Sequence, residues 1–208
     1  METGIDWPAL VQRLPVLGAL PETLRRAAEP QAFDRGDRIG RQGECPDAIF
    51  CVLSGEVRLL RVAETGRETV LQRVGEGFVA EASLDASAYH CDLVAGASGR
   101  LLRFPRTAFS AALDQDMGFN RAWIAHLSAE LRRARSRNEC LACPTAAERI
   151  RHAIAAEGDD KGLTLTGTQK AWAAELGLSH EALYRALRRL RETGTIRLDG
   201  RRIEWLAD

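Results

Sequence analysis

Residues 166–193, TGTQKAWAAELGLSHEALYRALRRLRET, constrain this chain more than any other stretch. They read as two short helices joined by a tight turn. Polar Thr166–Gly167–Thr168 supplies an N-cap for the first helix, whose apolar stripe is Ala171, Trp172, Ala174 and Leu176. Gly177 closes that helix in the left-handed conformation that ends helices, and Leu178 fills the turn. Ser179 then starts a second helix in which Leu183, Ala186, Leu187 and Leu190 recur at i, i+3, i+4, i+7. The opposite face carries His180, Glu181, Tyr184, Arg185, Arg188 and Arg189. This is helix-turn-helix spacing, with side chains suited to base edges and phosphates. Amphipathic pairs with a glycine turn also occur in ordinary helical proteins. The residues downstream separate the two readings: Thr195–Leu198 and Arg201–Leu206 are β-like runs around Asp199–Gly200, a hairpin signal. A helix-turn-helix with a hairpin directly after it is a winged helix.

Charge neither proclaims nor excludes a nucleic-acid partner. The formal net charge of the 208 residues is zero. Its distribution says more: Ser179 to Thr193 holds four arginines against two glutamates, and Arg121 to Glu139 five against two. Affinity for DNA would then rest on a few placed contacts, doubled by dimerisation. No run of 18 apolar residues exists, and METGIDWPAL lacks the basic-then-apolar signal-peptide pattern, so the expectation is a cytoplasmic protein with no membrane partner. Five cysteines (Cys45, Cys51, Cys91, Cys140, Cys143) without a secretory signal read as reduced thiols, metal ligands or redox sensors.

Upstream, residues 5–29 read as helix and loop, with Trp7, Leu10, Leu14, Leu17 and Leu20 on an apolar face broken by Pro8, Pro15 and Pro21. From Gln31 to Phe109, short Val-, Leu- and Ile-rich runs alternate with glycine turns at Gly36, Gly43, Ser54–Gly55, Thr65–Gly66, Gly75–Gly77, Gly96 and Gly99. That punctuation predicts an all-β sandwich or barrel. Asp114 to about Asn138 is predicted as one long helix. Met117, Ile124 and Leu131 recur every seven residues, as do Asn120, Leu127 and Ala134, which fills the a and d positions of a short parallel coiled coil with a polar Asn120 in the seam. The competing reading is a helix packed on its own domain. Cys140–Thr145 then reads as a hinge, Ala146–Ala156 as a helix, and Glu157–Gly162 as an exposed acidic loop.

β-roll, long helix and winged helix, in that order, resemble the CRP/FNR family of bacterial transcription regulators over nearly the whole chain. The resemblance is carried by Arg41-Gln-Gly-Glu44 through Ile49-Phe-Cys-Val-Leu-Ser-Gly-Glu-Val57, by Thr65-Gly-Arg-Glu68, by Gly75-Glu-Gly-Phe-Val-Ala-Glu81, and by Leu178-Ser-His-Glu-Ala-Leu-Tyr-Arg185 with Leu187 and Leu190. It implies an α+β protein: an N-terminal double-stranded β-helix (jelly-roll) sensor domain over 1–113, a dimerisation helix over 114–140, and a C-terminal winged helix-turn-helix over 141–208. It also implies a homodimer on double-stranded DNA, with RNA polymerase as a further partner through the 157–162 loop. Glu181 matches the family's glutamate that accepts from a cytosine amine, and Arg185 its arginine, bidentate to guanine O6 and N7. His180 and Tyr184 depart from the family's pattern. Thr168, Gln169 and Lys170 stand where a helix N-terminus favours a phosphate, and Ser179, Arg188 and Arg189 complete the expected DNA face.

Cyclic-nucleotide members of the family need a Gly-Glu pair for the ribose and an arginine for the phosphate. Glu81 is present, but Ala80 replaces the glycine, and no arginine or lysine occurs between Arg73 and Arg100. A buried phosphate without a cation is costly, which speaks against cyclic AMP. Iron–sulfur members carry cysteines near the N-terminus; here the first is Cys45. The expected effector site is therefore Glu81, Ser83, His90 and Cys91, with His90 and Cys91 on a strand and pointing to opposite faces. Cys91 is expected to lie within reach of Cys51. Cys140-Leu-Ala-Cys143 can bind a soft metal, copper or zinc, or oxidise to a disulfide. The readings are thus a DNA-binding regulator answering to a cysteine-based signal, a regulator that is effector-independent or answers to a small molecule, a thiol oxidoreductase using Cys140 and Cys143, or a regulatory β-roll serving an attached enzyme. The third needs a βαβ setting that the neighbouring sequence lacks.

Overall fold

A computed structural model describes residues 5–62, 68–165 and 168–206. The expected Thr65–Gly66 turn and the Thr166–Gly167 part of the N-cap lie outside these. The chain divides into two compact units, Met1–Leu127 and Ser128–Asp208.

The first unit opens with α1 (Trp7–Arg13), a 3-10 helix (Pro15–Ala19) and α2 (Glu22–Arg26). Asp6 caps α1 by accepting from the Ala9 N–H at 3.1 Å. Six strands come next: β1 (Glu29–Phe33), β2 (Arg38–Gly40), β3 (Ala48–Val62), β4 (Glu68–Val74), β5 (Gly77–Val79) and β6 (Asp92–Pro105). They form one antiparallel sheet in the order β1-β6-β3-β4, with β2 added to β6 and β5 to β3. Two of the expected turns are absent. Ser54–Gly55 and Gly96–Gly99 do not reverse the chain; they bend β3 and β6 in mid-strand, where the register shifts. The reason is close backbone approach. A Cβ on Gly99 would lie 2.0 Å from the Ser54 carbonyl oxygen, and Gly55, at φ +87°, would place one 2.6 Å from that of Ser98. Glycine inside a strand marks such a corner.

Strand β3 also explains why alternation is only partial. Its first five residues are all buried, because both faces of the sheet are covered there. Ile49 and Cys51 pack with Leu17, Leu24, Phe109 and Trp123 of the helices, whereas Phe50 and Val52 pack with Val57, Leu93 and Leu101 inside the roll.

The helix predicted from Asp114 to about Asn138 is α4 (Met117–Ala142), and a separate helix, α3 (Arg106–Gln115), precedes it. Asp116 breaks them with an extended backbone, and its carboxylate accepts from the Phe119 N–H at 2.9 Å, starting α4. Asn120 does not stand free in an apolar seam: its amide donates to the Leu113 carbonyl at 3.1 Å, satisfying an orphan acceptor of α3. Phe119 and Trp123 are buried in an aromatic cluster, with Trp123 4.9 Å from Phe78 and 4.8 Å from Phe109. Each such side chain contributes about 1.5–3 kcal/mol by burial. The heptad residues lie on another face of α4. Met117, Ile124 and Leu131 remain more than half exposed.

The second unit contains the C-terminal end of α4, then α5 (Ala146–Glu157), β7 (Gly162–Thr164), α6 (Gln169–Glu175), α7 (His180–Glu192), β8 (Ile196–Asp199) and β9 (Arg202–Trp205). Cys140 is not in a hinge; it lies in the last turns of α4, buried among Ile150, Leu176 and Leu187. Only Cys143–Thr145 separates α4 from α5. Thr145 and Glu148 form a reciprocal capping box that starts α5. The wing has three strands, in the order β7-β9-β8. Its two loop residues are Gly200 and Arg201, one step later than the Asp199–Gly200 turn expected, since Asp199 pairs with Arg202. The loop after α5 keeps Glu157–Lys161 exposed, but Gly162 is buried as the start of β7.

Candidate nucleic-acid interface

Helix α6 is capped by Thr168, whose hydroxyl accepts from the Ala171 N–H at 3.2 Å, and α7 by Ser179, which accepts from the Ala182 N–H at 3.1 Å. Between them Gly177 takes φ +64°, a conformation that side-chain-bearing residues adopt only at a cost. Trp172, Ala173, Leu183, Leu187 and Leu190 are buried and anchor both helices to one core. Arg149, which sequence reasoning did not single out, ties this turn down. Its guanidinium donates to the carbonyls of Cys143, Leu176 and Gly177 at 2.9–3.3 Å. No periodic signal marks a residue whose partners are backbone carbonyls 6 to 28 positions away.

The opposite face of α7 points to solvent. His180, Glu181, Tyr184, Arg185, Arg188 and Arg189 are all exposed, and the first four line a shallow hollow of about 430 Å³. Among the described residues no ion pair engages Arg185 or Arg189. Arg188 bonds Glu192 at 2.7 Å, so its charge is partly spent on its own helix. Thr168 and Lys170 are exposed at the start of α6, and Gln169 is half-buried. Asp159, in the turn before β7, accepts from Arg202 at 2.7 Å and from the Lys161 N–H at 2.9 Å. These donors hold its carboxyl below the usual carboxylate range.

The expected sensing residues are placed differently. Ala80 takes φ +67°, the one non-glycine with positive φ among the described residues, and so occupies a left-handed position natural to glycine. Glu81 and Ser83 form a single 3-10 turn after it. His90 and Cys91 are not on a strand. They form a bend before β6, which lets neighbouring side chains approach, and Cys91 Sγ lies 3.6 Å from His90 Nε2. Cys91 and Cys51 do not meet, because they belong to separate apolar clusters, and all five cysteines are free thiols.

Burial, and then the negative charges of Glu76 and Glu81, push the Cys51 thiol up; burial and then Asp92 do the same to Cys91. Cys140 is also raised, by burial first and by Cys143 next. Cys45 is exposed and Cys143 half-buried. Among the described residues, no group of three or more His, Cys, Asp or Glu side chains could hold a metal ion, and no helix is long and apolar enough to cross a membrane. The stretch 74–99 contains no arginine or lysine, and Arg106, which reaches the turn after Glu81, spends its guanidinium on the carbonyls of Leu84 and Pro46 at 2.7 and 3.1 Å.

Comparison with known proteins agrees with this architecture. Residues 30–116 match the cyclic nucleotide-binding domain, and residues 147–207 the Crp-like helix-turn-helix domain. Among curated proteins, lysophospholipase NTE1 of Phaeosphaeria nodorum is 37% identical over 87 residues, which is 41% of this chain but 6% of that far longer protein. Among solved structures, FixK2 from Bradyrhizobium japonicum is similar at 21% identity and TM-score 0.65, over 86% of this chain and 93% of its own. DNR from Pseudomonas aeruginosa is similar at 24% identity and TM-score 0.56, over 100% and 96%. The regulator CLP of Xanthomonas campestris is similar at 20% identity and TM-score 0.60, over 90% and 98%. At these identities the structures speak for the fold, and the two matched domains, in this order on one chain, speak for the family. The chain belongs to the CRP/FNR family of transcription regulators, with a Crp-like helix-turn-helix that binds DNA.

Proposed function

We propose that the protein acts as a homodimer on a two-fold symmetric DNA site, reading one half-site with each α7. The observation that carries this reading is the polar face of α7, wholly exposed on a helix capped and anchored by its own core. Glu181 accepts from a cytosine amine and Arg185 donates to guanine O6 and N7. His180 and Tyr184 set the preference at neighbouring positions. Arg188 and Arg189 take phosphates, as do Thr168, Gln169 and Lys170 at the N-terminus of α6. Ser179 contributes by capping the helix. The exposed stripe Met117, Ile124, Leu127 and Leu131, with Ala134 between its turns and Asn120 at its start, supports pairing of two α4 helices. The loop 157–162 is available to RNA polymerase.

The signal enters at cysteine. Cys140 and Cys143 stand one helical turn apart where α4 ends, and Cys143 is the more accessible of the two. Copper or an oxidant acting there would alter the end of α4, against the burial that keeps Cys140 protonated. Glu81, Ser83, His90 and Cys91 form the effector side of the first unit, without a cyclic nucleotide.

A gel-shift series on palindromic DNA tests the reading. The expected result is one dimer per site, half-sites about 34 Å apart and a steep loss of affinity with salt. Monomeric binding, or no salt dependence, would overturn it. Cys143→Ser is expected to abolish the DNA response to copper and oxidants. An unchanged response would remove the cysteine signal while leaving the DNA reading intact.

A further inference from the structure

The carboxylate of Glu81 is not open to solvent. Its side chain is 12% exposed, and Oε1 lies 3.3 Å from His126 Nε2 of α4, itself 14% exposed. The His126 ring is wedged, tilted over Trp123 at 5.0 Å and 31° and set edge-on against Phe78 at 5.5 Å and 62°. Trp123 in turn packs on Phe109 and Phe119 in the main aromatic cluster. Two buried polar atoms nearby in the fold, Ser83 Oγ and Trp123 Nε1, have no hydrogen-bond partner among the described residues. The turn that presents Glu81 begins with left-handed Ala80. Such strain persists only where surrounding contacts hold it.

We infer that His126 is a positioning residue through which α4 reads the state of Glu81. A buried carboxylate stripped of its donor is costly, so an effector that takes up Glu81 must take it from His126. The ring cannot follow freely, because Trp123 and Phe78 confine it. Losing the contact therefore loosens the first turns of α4, the helix that continues into the second unit. The aromatic packing supplies rigidity and the Nε2 contact supplies the coupling. This rests on the reading of Glu81 and Ser83 as part of the effector side.

Two substitutions separate the contact from the packing. His126→Phe keeps a ring against Trp123 and loses the nitrogen, whereas His126→Gln keeps a polar group toward Glu81 and loses the ring. Full-length protein is followed by hydrogen exchange of residues 117–127 and by affinity for its DNA site, with thermal unfolding as the control for folding. His126→Phe and Glu81→Ala are each expected to speed exchange in 117–127 and to shift DNA affinity in the same direction by about 5-fold or more. The double variant is expected to match either single one, and His126→Gln to stay within about twofold of the parent. Normal behaviour of His126→Phe, or additive single effects, would overturn the inference. If the parent binds no DNA, the exchange measurement alone decides it, and the failure then belongs to the DNA reading. If Glu81→Ala does not fold, Glu81→Gln takes its place, expected to show a smaller shift in the same direction; no shift would overturn the inference.

Discussion

Each unit places its polar chemistry differently with respect to its own core. In the second, the side chains proposed to read DNA stand outside: Glu181, Tyr184 and Arg185 are exposed on α7, while Leu183, Leu187 and Leu190 are buried. In the first, Ser83 and Cys91 are buried, and Glu81 is nearly so and turned onto His126. An outward site needs only a rigid helix and the right side chains. An inward site depends on what the rest of the fold brings to it. That is why spacing could pick out the exposed face of α7 residue by residue, whereas the same approach put His90 and Cys91 on a strand and Cys91 within reach of Cys51.

The largest test of this contrast is Trp123→Ala. Deleting a buried indole from the aromatic cluster is expected to cost about 3–5 kcal/mol of stability in the first unit, read by denaturant unfolding. The second unit should keep its own transition; a common loss would mean that the two unfold as one. Next is Arg185→Ala, expected to weaken DNA binding by about 1–3 kcal/mol and to relax preference at one base pair without changing thermal stability. An equal loss on every DNA sequence would assign Arg185 to phosphate instead. Ser179→Ala removes the cap of α7 and is expected to cost about 1 kcal/mol of stability, affecting all DNA sites alike.

The smallest effect is expected from Asp159→Asn. The Asp159 carboxyl is depressed in the folded state, chiefly by Arg202. Its contribution is therefore present above the ordinary carboxylate value and lost as pH falls through the lowered one. Parent and variant should differ slightly in melting temperature at neutral pH and converge in strong acid. A difference that persisted there would assign the effect to packing of the turn, not to charge.

Much of the second unit was legible because its determinants are local. Thr168 and Ser179 cap the helices they precede, Gly177 has the left-handed turn, and the leucines of α7 face the core at helical spacing. Strand β7 was missed because three residues are too short for a pattern to declare itself. In the first unit the glycines of β3 and β6 looked like chain reversals, since a bend and a turn use the same residue. Only the approach of Gly55 to Ser98 and of Gly99 to Ser54 distinguishes them. The break at Asp116 was equally hidden, because no proline marks it and the heptad begins only at Met117.

The order of the parts and the outward face of α7 needed nothing beyond the chain itself, since both are written in neighbours within four residues of each other. Which polar groups meet is a matter of folding at long range: His126 with Glu81 across 45 residues, Arg149 with Gly177 across 28, and Cys51 apart from Cys91 in separate apolar clusters. Periodicity says which side of an element is buried, but not what it is buried against. That partner is set by how the long strands bend and where α4 begins.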